Sequence, residues 1–205
     1  MNTSCVIKLG GSLLELPDLP ERLGNFLADF SRPRPVLLCG GGSIVEQIRA
    51  WDRAYAIGEE PSHWIAVRAL TITALVTERI LPGVEHVETI EALQVAWHRG
   101  RVPLLDPYRF LLDIDECSHD PLPRRGRVTS DSIGARMAVT LGAPELILLK
   151  SITPTEGLSF EEAAVQGIVD PHFPQVAQTI PRVVIVNLRE NAPREVALRT
   201  TGTPV

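Results

Sequence analysis

Val6-Ile7-Lys8-Leu9-Gly10-Gly11-Ser12 and Leu37-Leu38-Cys39-Gly40-Gly41-Gly42-Ser43 share one design, a short apolar run that ends in glycines and a hydroxyl. Apolar runs of this length fit strands buried on both faces. Further runs of the same kind lie at Cys5 to Leu9, Pro35 to Cys39, Val84 to Val87, Val102 to Leu105, Glu145 to Leu149 and Arg182 to Asn187. Segments of helical period stand between them, at Glu21 to Phe30, Ser43 to Ala56, His63 to Leu81, Ile90 to His98, Asp131 to Leu141 and Pro171 to Ile180. Strands that alternate with helices need crossover connections, so the pattern predicts an α/β fold: a three-layer αβα sandwich with a mainly parallel central sheet.

Caps mark several helix ends. Ser62 precedes the helix containing Trp64 and Ser130 the one containing Asp131, while Gly100 and Gly142 follow helices where a left-handed residue ends them. Asp106 to Val128 is the least regular stretch, with Pro107, Pro121, Pro123 and Gly126, and a segment of that length reads as a lid or binding loop. No internal repeat or linker divides the 205 residues, and a single domain over 1–205 is expected.

Composition excludes several classes. The net charge of −5 argues against a nucleic-acid footprint, and Arg124, Arg125 and Arg127 form only a short basic run, read as a solvated loop. Cys5, Cys39 and Cys117 have no paired or metal-ligand spacing, and His86, His98, His119 and His172 show none either. No basic and apolar leader opens the chain, and charges interrupt every apolar stretch well before the ~18 residues of a membrane span. A soluble protein in a reducing cytoplasm, acting on a small molecule, is the expectation.

The chemistry resides at the strand ends. Ligands of open α/β sheets bind beyond the carboxyl ends of strands, and glycines there leave backbone N–H groups accessible to phosphate oxygens. Gly40, Gly41 and Gly42 also open a helix, whose N-terminus favours an anion. Only two lysines occur, Lys8 in the first glycine-rich strand and Lys150 closing Leu146-Ile147-Leu148-Leu149; the other 18 of the 20 basic residues are arginines. A compact ammonium suits a phosphoryl group in transit better than a planar guanidinium. Val128-Thr129-Ser130-Asp131-Ser132 places hydroxyls around a carboxylate at a helix start. These are capping residues in the first instance, or else Asp131 fixes two cationic side chains while the hydroxyls face an anion. Neither GxxxxGK[ST] nor GxGxxG is present.

With these residues in view, the chain resembles the amino-acid-kinase superfamily. The resemblance rests on Lys8-Leu9-Gly10-Gly11-Ser12, Gly40-Gly41-Gly42, Thr129-Ser130-Asp131, Leu149-Lys150 and the closing Gly202-Thr203-Pro204-Val205. It implies ATP with Mg²⁺ and in-line phosphoryl transfer to a carboxylate or phosphate. By position it implies that Lys8, Asp131 and Lys150 are catalytic and that Gly10, Gly11, Ser12, Thr129, Ser130 and Ser151 hold the nucleotide phosphates. Gly40, Gly41, Gly42, His63 and Trp64 would meet the acceptor, and the protein itself supplies no metal ligand. His63 and Trp64 could equally be a capped helix burying an aromatic. Relatives commonly form homodimers or larger homo-oligomers.

Arg49-Ala50-Trp51-Asp52, Ser62-His63-Trp64-Ile65-Ala66 and Gly167-Ile168-Val169-Asp170-Pro171 resemble the short aspartokinase-related kinases of methanofuran synthesis, which phosphorylate an aminomethylfuran-methyl phosphate. The Ser-Gly-Glu opening of uridylate kinases and the histidine that isopentenyl phosphate kinases place after their glycines are missing. Relatives follow the Lys150 strand with Thr-Asp-Val-Asp-Gly, whereas here it is Ser151-Ile152-Thr153-Pro154-Thr155-Glu156-Gly157. A further catalytic lysine of some relatives is also missing after Gln166-Gly167-Ile168. Two alternatives therefore stand beside the kinase reading: a non-catalytic nucleotide- or oxyanion-binding homologue, and a uridylate-kinase-like enzyme.

Overall fold

The computed structural model describes residues 3–200. The closing Gly202-Thr203-Pro204-Val205 lies outside them. Seven strands form one sheet: β1 (Cys5–Leu9), β2 (Pro35–Cys39), β3 (Val84–Val87), β4 (Val102–Leu105), β5 (Glu145–Lys150), β6 (Arg182–Asn187) and β7 (Glu195–Leu198). Their order is β3-β4-β2-β1-β5-β6-β7, and every neighbouring pair is parallel except β6 with β7.

The helices are α1 (Leu19–Ala28), α2 (Gly42–Tyr55), α3 (Glu59–Ile80), α4 (Ile90–His98), α5 (Pro107–Phe110), α6 (Ser130–Leu141), α7 (Phe160–Val165) and α8 (Phe173–Ala177). They divide between the two faces because strand residues alternate. Cys5, Ile7, Leu9, Leu37, Ile147 and Val184 pack with Leu19 and Leu23 of α1. Val6, Val36, Leu38, Leu146, Leu148 and Ile185 pack with Ile133 and Met137 of α6 and with Leu93 of α4. Strands β1, β2, β4, β5 and β6 bury both sides, which is why their sequences are largely apolar instead of alternating. The αβα sandwich follows.

Five strands have the expected bounds, and β5 runs one residue further, through Lys150. The differences lie at helix ends, at the start of the stretch read as irregular, and in the last third. α3 begins at Glu59, so Ser62 sits inside its first turn with its amide on Gly58 O at 3.0 Å; the glutamates and Pro61 start the helix earlier. The cap of α6 is Thr129, whose hydroxyl accepts from the Asp131 amide, so Ser130 is already helical. Pro171 to Ile180 shrinks to the one-turn α8. The helices α5 and α7 and the strand β7 were not anticipated: α5 lies within the stretch read as irregular, and β7 alternates exposed and buried at an edge, and so lacks the continuous apolar signature.

Candidate active site

The strand order places the site. From β1 the sheet extends to β2 on one side and to β5 on the other, so the carboxyl ends of these three strands flank a point where the connections diverge. Open α/β sheets bind ligands at such points. Lys8, the two glycine-rich segments and Lys150 are thereby gathered at one edge.

Lys8 lies on the same face of β1 as Val6, under α6. Gly134 of α6 makes room for its stem: a Cβ there would stand 3.4 Å from Lys8 Cβ and 3.3 Å from Leu38 Cδ2. The ammonium donates to Asp131 Oδ1 at 2.8 Å. Lys150, at the end of β5, donates to Oδ1 at 2.8 Å and to Oδ2 at 2.7 Å. Lys8 is 4% exposed and Asp131 5%, so one carboxylate joins two lysines away from bulk water. Burial alone would raise the Asp131 carboxyl, but Lys150 and Lys8 more than offset it and hold it at about 2. Burial brings the Lys150 ammonium down to about 8, with Asp131 opposing the shift and Lys8 adding to it.

The glycines play two parts. The amides of Gly10 and Gly40 are bonded within the sheet, to Leu149 O at 2.9 Å and Leu9 O at 2.8 Å. The expectation that these two grip a ligand through their N–H groups is therefore corrected. Their missing side chains serve close packing of the chain against itself, since a Cβ on Gly10 would fall 2.6 Å from Leu149 O. On Gly11 it would fall 2.2 Å from Gly42 N. Gly11, Gly41 and Gly42 do line a cleft, where the first-turn amides of α2 precede any intrahelical acceptor.

That cleft holds about 420 Å³. Ser12, Ser43, Thr129 and Ser130 bring hydroxyls from the starts of α2 and α6 and from the turn after β1, and Val45, Ala66, Val67, Leu70 and Ile133 form an apolar wall. Ser62, His63, Ala66, Val67 and Leu70 face it from one stripe of α3. Trp64, the next residue along the helix from His63, points elsewhere and packs edge-on to Tyr108 with ring centroids 6.1 Å apart. It does not line the cleft, which corrects its expected place beside the acceptor. His63 is buried, bonds to the main chain of Arg125 and is shifted below the usual imidazole range by burial. Gly126 and Val128 close the cleft from the irregular stretch expected to act as a lid.

Ser12 Oγ and Ser151 Oγ are 3.1 Å apart, joining the turn after β1 to the end of β5. The Thr129 hydroxyl is committed, donating to Asp170 Oδ2 at 2.8 Å. Asp170 also accepts from the amides of Thr129, Ser132, His172 and Phe173 and from the Ser132 hydroxyl. Sequence reasoning passed over this buried hub. Its position two residues before His172 signals a cap for α8, but its second role at α6 depends on tertiary contact. Arg49, one α2 turn from Glu46 and paired with it, lines the cleft and also went unassigned.

Against known families, residues 3–153 match the model of the amino acid kinase family. The chain belongs to the amino acid kinase family. Over 148 residues, 72% of its length, this family member is 24% identical to [5-(aminomethyl)furan-3-yl]methyl phosphate kinase of Methanocaldococcus jannaschii. The matched stretch spans 65% of that relative. Among solved structures, UMP kinase from Ureaplasma parvum superposes with a TM-score of 0.61 at 16% identity, covering 94% of this chain and 93% of that one. Uridylate kinase from Archaeoglobus fulgidus gives 0.62 at 14% identity, covering 97% and 92%. These two share the fold. Among the described residues, no helix is long and apolar enough to cross a membrane, and no group of three His, Cys, Asp or Glu could hold a metal.

Proposed function

We propose that this chain transfers the γ-phosphoryl group of ATP to a small acceptor bearing a phosphate or carboxylate, seated in the cleft between α2, α3 and α6. The observation that carries the reading is the sharing of Asp131 by Lys8 and Lys150. Two ammoniums and one carboxylate leave one positive charge at the strand-end edge that also carries Gly11 and Gly42. A triphosphate tail fits that charge and the first-turn amides of α2. An acceptor oxyanion attacks the γ-phosphorus, the bond to the bridging oxygen breaks, and ADP departs with its electrons. An anionic acceptor needs no general base, and Asp131, bonded to both lysines, is not placed to act as one. With no protein cage for it among the described residues, Mg²⁺ would arrive on the nucleotide phosphates.

For the acceptor, the substrate in the name of the Methanocaldococcus relative offers a specific candidate. A phosphate would meet the α2 and α6 starts, the apolar wall suits a flat ring, and Glu15 and Glu46 at the cleft suit an amine. Incubation with ATP, Mg²⁺ and a panel comprising the aminomethylfuran phosphate, UMP, aspartate and isopentenyl phosphate, followed by ADP release, tests this. Turnover with the furan phosphate supports the finer reading. Turnover with UMP replaces it, and ATP binding without any acceptor-dependent ADP favours a non-catalytic homologue. A homo-oligomer remains part of the proposal: Ile65, Ile72, Leu75 and Val76 give α3 an exposed apolar face for it to cover. A monomer mass by light scattering removes that part.

A further inference from the structure

Arg189 follows β6, yet its Nη2 reaches Ser12 O, after β1, at 3.5 Å. In the sheet β5 lies between those two strands. The guanidinium therefore crosses the carboxyl end of β5, over the turn where Lys150 gives way to Ser151 and where Ser151 meets Ser12. Its own backbone is held in place. Arg22, itself fixed by Asp18 at 2.7 Å, donates to the carbonyls of Leu188, Arg189 and Glu190 at 3.3, 3.2 and 3.1 Å. Asn187 Oδ1 accepts from the Arg189 amide at 3.0 Å, and the Leu188 amide bonds Lys150 O at 3.0 Å.

Most arginines around this sheet are neutralised: Arg22, Arg32, Arg182 and Arg194 each face a carboxylate. Arg189 has no carboxylate partner among the described residues, and its side chain is exposed on the side of the lysine pair. A clamped turn that presents an unpaired guanidinium across a strand end is arranged for a multiply charged anion, because the planar fork bonds two phosphate oxygens at once. The lysine pair, shared with Asp131, leaves only one net positive charge for a tail that carries several negative ones.

We propose that Arg189, in the turn after β6, is a ligand of the β- and γ-phosphates of the nucleotide, supplying a cation beyond the two lysines. The inference rests on the kinase reading above. Calorimetric binding of ATP, ADP and AMP to the full chain at fixed salt tests it. Arg189→Ala weakens ATP and ADP by about 10- to 100-fold, as for loss of a charged hydrogen bond, and AMP by less than about twofold. Arg189→Lys recovers part of the loss. Arg194→Ala, which removes the same charge from a surface pair with Glu156, leaves ATP binding unchanged. Wild-type-like ATP affinity in Arg189→Ala, an equal loss in Arg194→Ala, or an equal loss for AMP overturns the assignment while the kinase reading stands. A wild-type chain that binds no ATP overturns both.

Discussion

Lys150 donates to both oxygens of Asp131, at 2.8 and 2.7 Å, whereas Lys8 reaches only Oδ1. Burial brings the Lys150 ammonium down to about 8, so normal assay conditions can remove its charge. If Lys150 must be protonated to hold phosphate, kcat/KM falls as pH rises through about 8. Bound phosphate favours the ammonium, so the limb in kcat lies higher. Lys150→Arg, charged throughout, loses the limb whatever its absolute rate. A flat profile between roughly pH 7 and 9.5 in the wild type contradicts this role.

The same trio sets part of the acid stability. Asp131 titrates at about 2 in the folded chain and at its ordinary value near 3.8 when unfolded, so its contribution is present above 3.8 and is lost as pH falls toward 2. Lys150 has the opposite sign: its lowered value is a penalty below about 8 that is relieved as pH rises toward 10.5. Asp131→Asn leaves two buried ammoniums facing each other and should cost about 3–5 kcal/mol in urea unfolding. Lys8→Met leaves Lys150 paired and should cost less, while lowering turnover by about 10²- to 10³-fold. A Lys8→Met chain as active as wild type removes the central assignment.

Two glycine substitutions should move stability in opposite directions. Ala at Gly11 places a Cβ 2.2 Å from Gly42 N, and backbone has to shift at the point where β1 and β2 meet. Ala at Gly24, inside α1, meets nothing within 4 Å. Gly11→Ala should destabilise by several kcal/mol or fail to fold, and Gly24→Ala should stabilise by about 0.5–1 kcal/mol. Chemical unfolding of both variants checks the pair, and equal midpoints contradict it.

This contrast explains what the sequence made legible. Buried parallel strands announce themselves as largely apolar runs, which is why β1, β2, β4, β5 and β6 could be bounded closely. Lys8 and Lys150 stood out because the chain uses arginine everywhere else, and Asp131 because it starts a helix. Gly10 and Gly40 were recognised as special for an incomplete reason. Their sequence position does not reveal that neighbouring backbone, and not a ligand, occupies the space of their side chains. Trp64 was misplaced because the stripe of α3 that faces the cleft runs through Ser62, His63, Ala66, Val67 and Leu70, and Trp64 lies one residue, about 100°, beyond its edge. Arg189 reaches over a strand end and Asp170 joins the starts of α6 and α8, and no local pattern encodes the partner of a contact made by tertiary packing.

Asp170 gives the sharpest test of how the fold holds the lysine pair. It is 6% exposed and gathers six donors, four of them on Thr129 and Ser132 at the start of α6, on either side of Asp131. Asp170→Ala leaves those donors without an acceptor and should cost about 3 kcal/mol or more. Asp170→Asn keeps one carbonyl acceptor but turns an amide toward the remaining donors, so an intermediate loss is expected. If the carboxylate only stabilised the fold, turnover of the folded fraction would stay unchanged in Asp170→Asn. Since it sets the start of α6, and thereby Asp131, kcat should fall with stability, and the alkaline limb belonging to Lys150 should move. Asp170 raises that ammonium, while Asp131 raises it and Lys8 lowers it from the same cluster. Removing the Asp170 charge should therefore shift the limb toward lower pH, and a limb that stays in place confines Asp170 to a purely structural role.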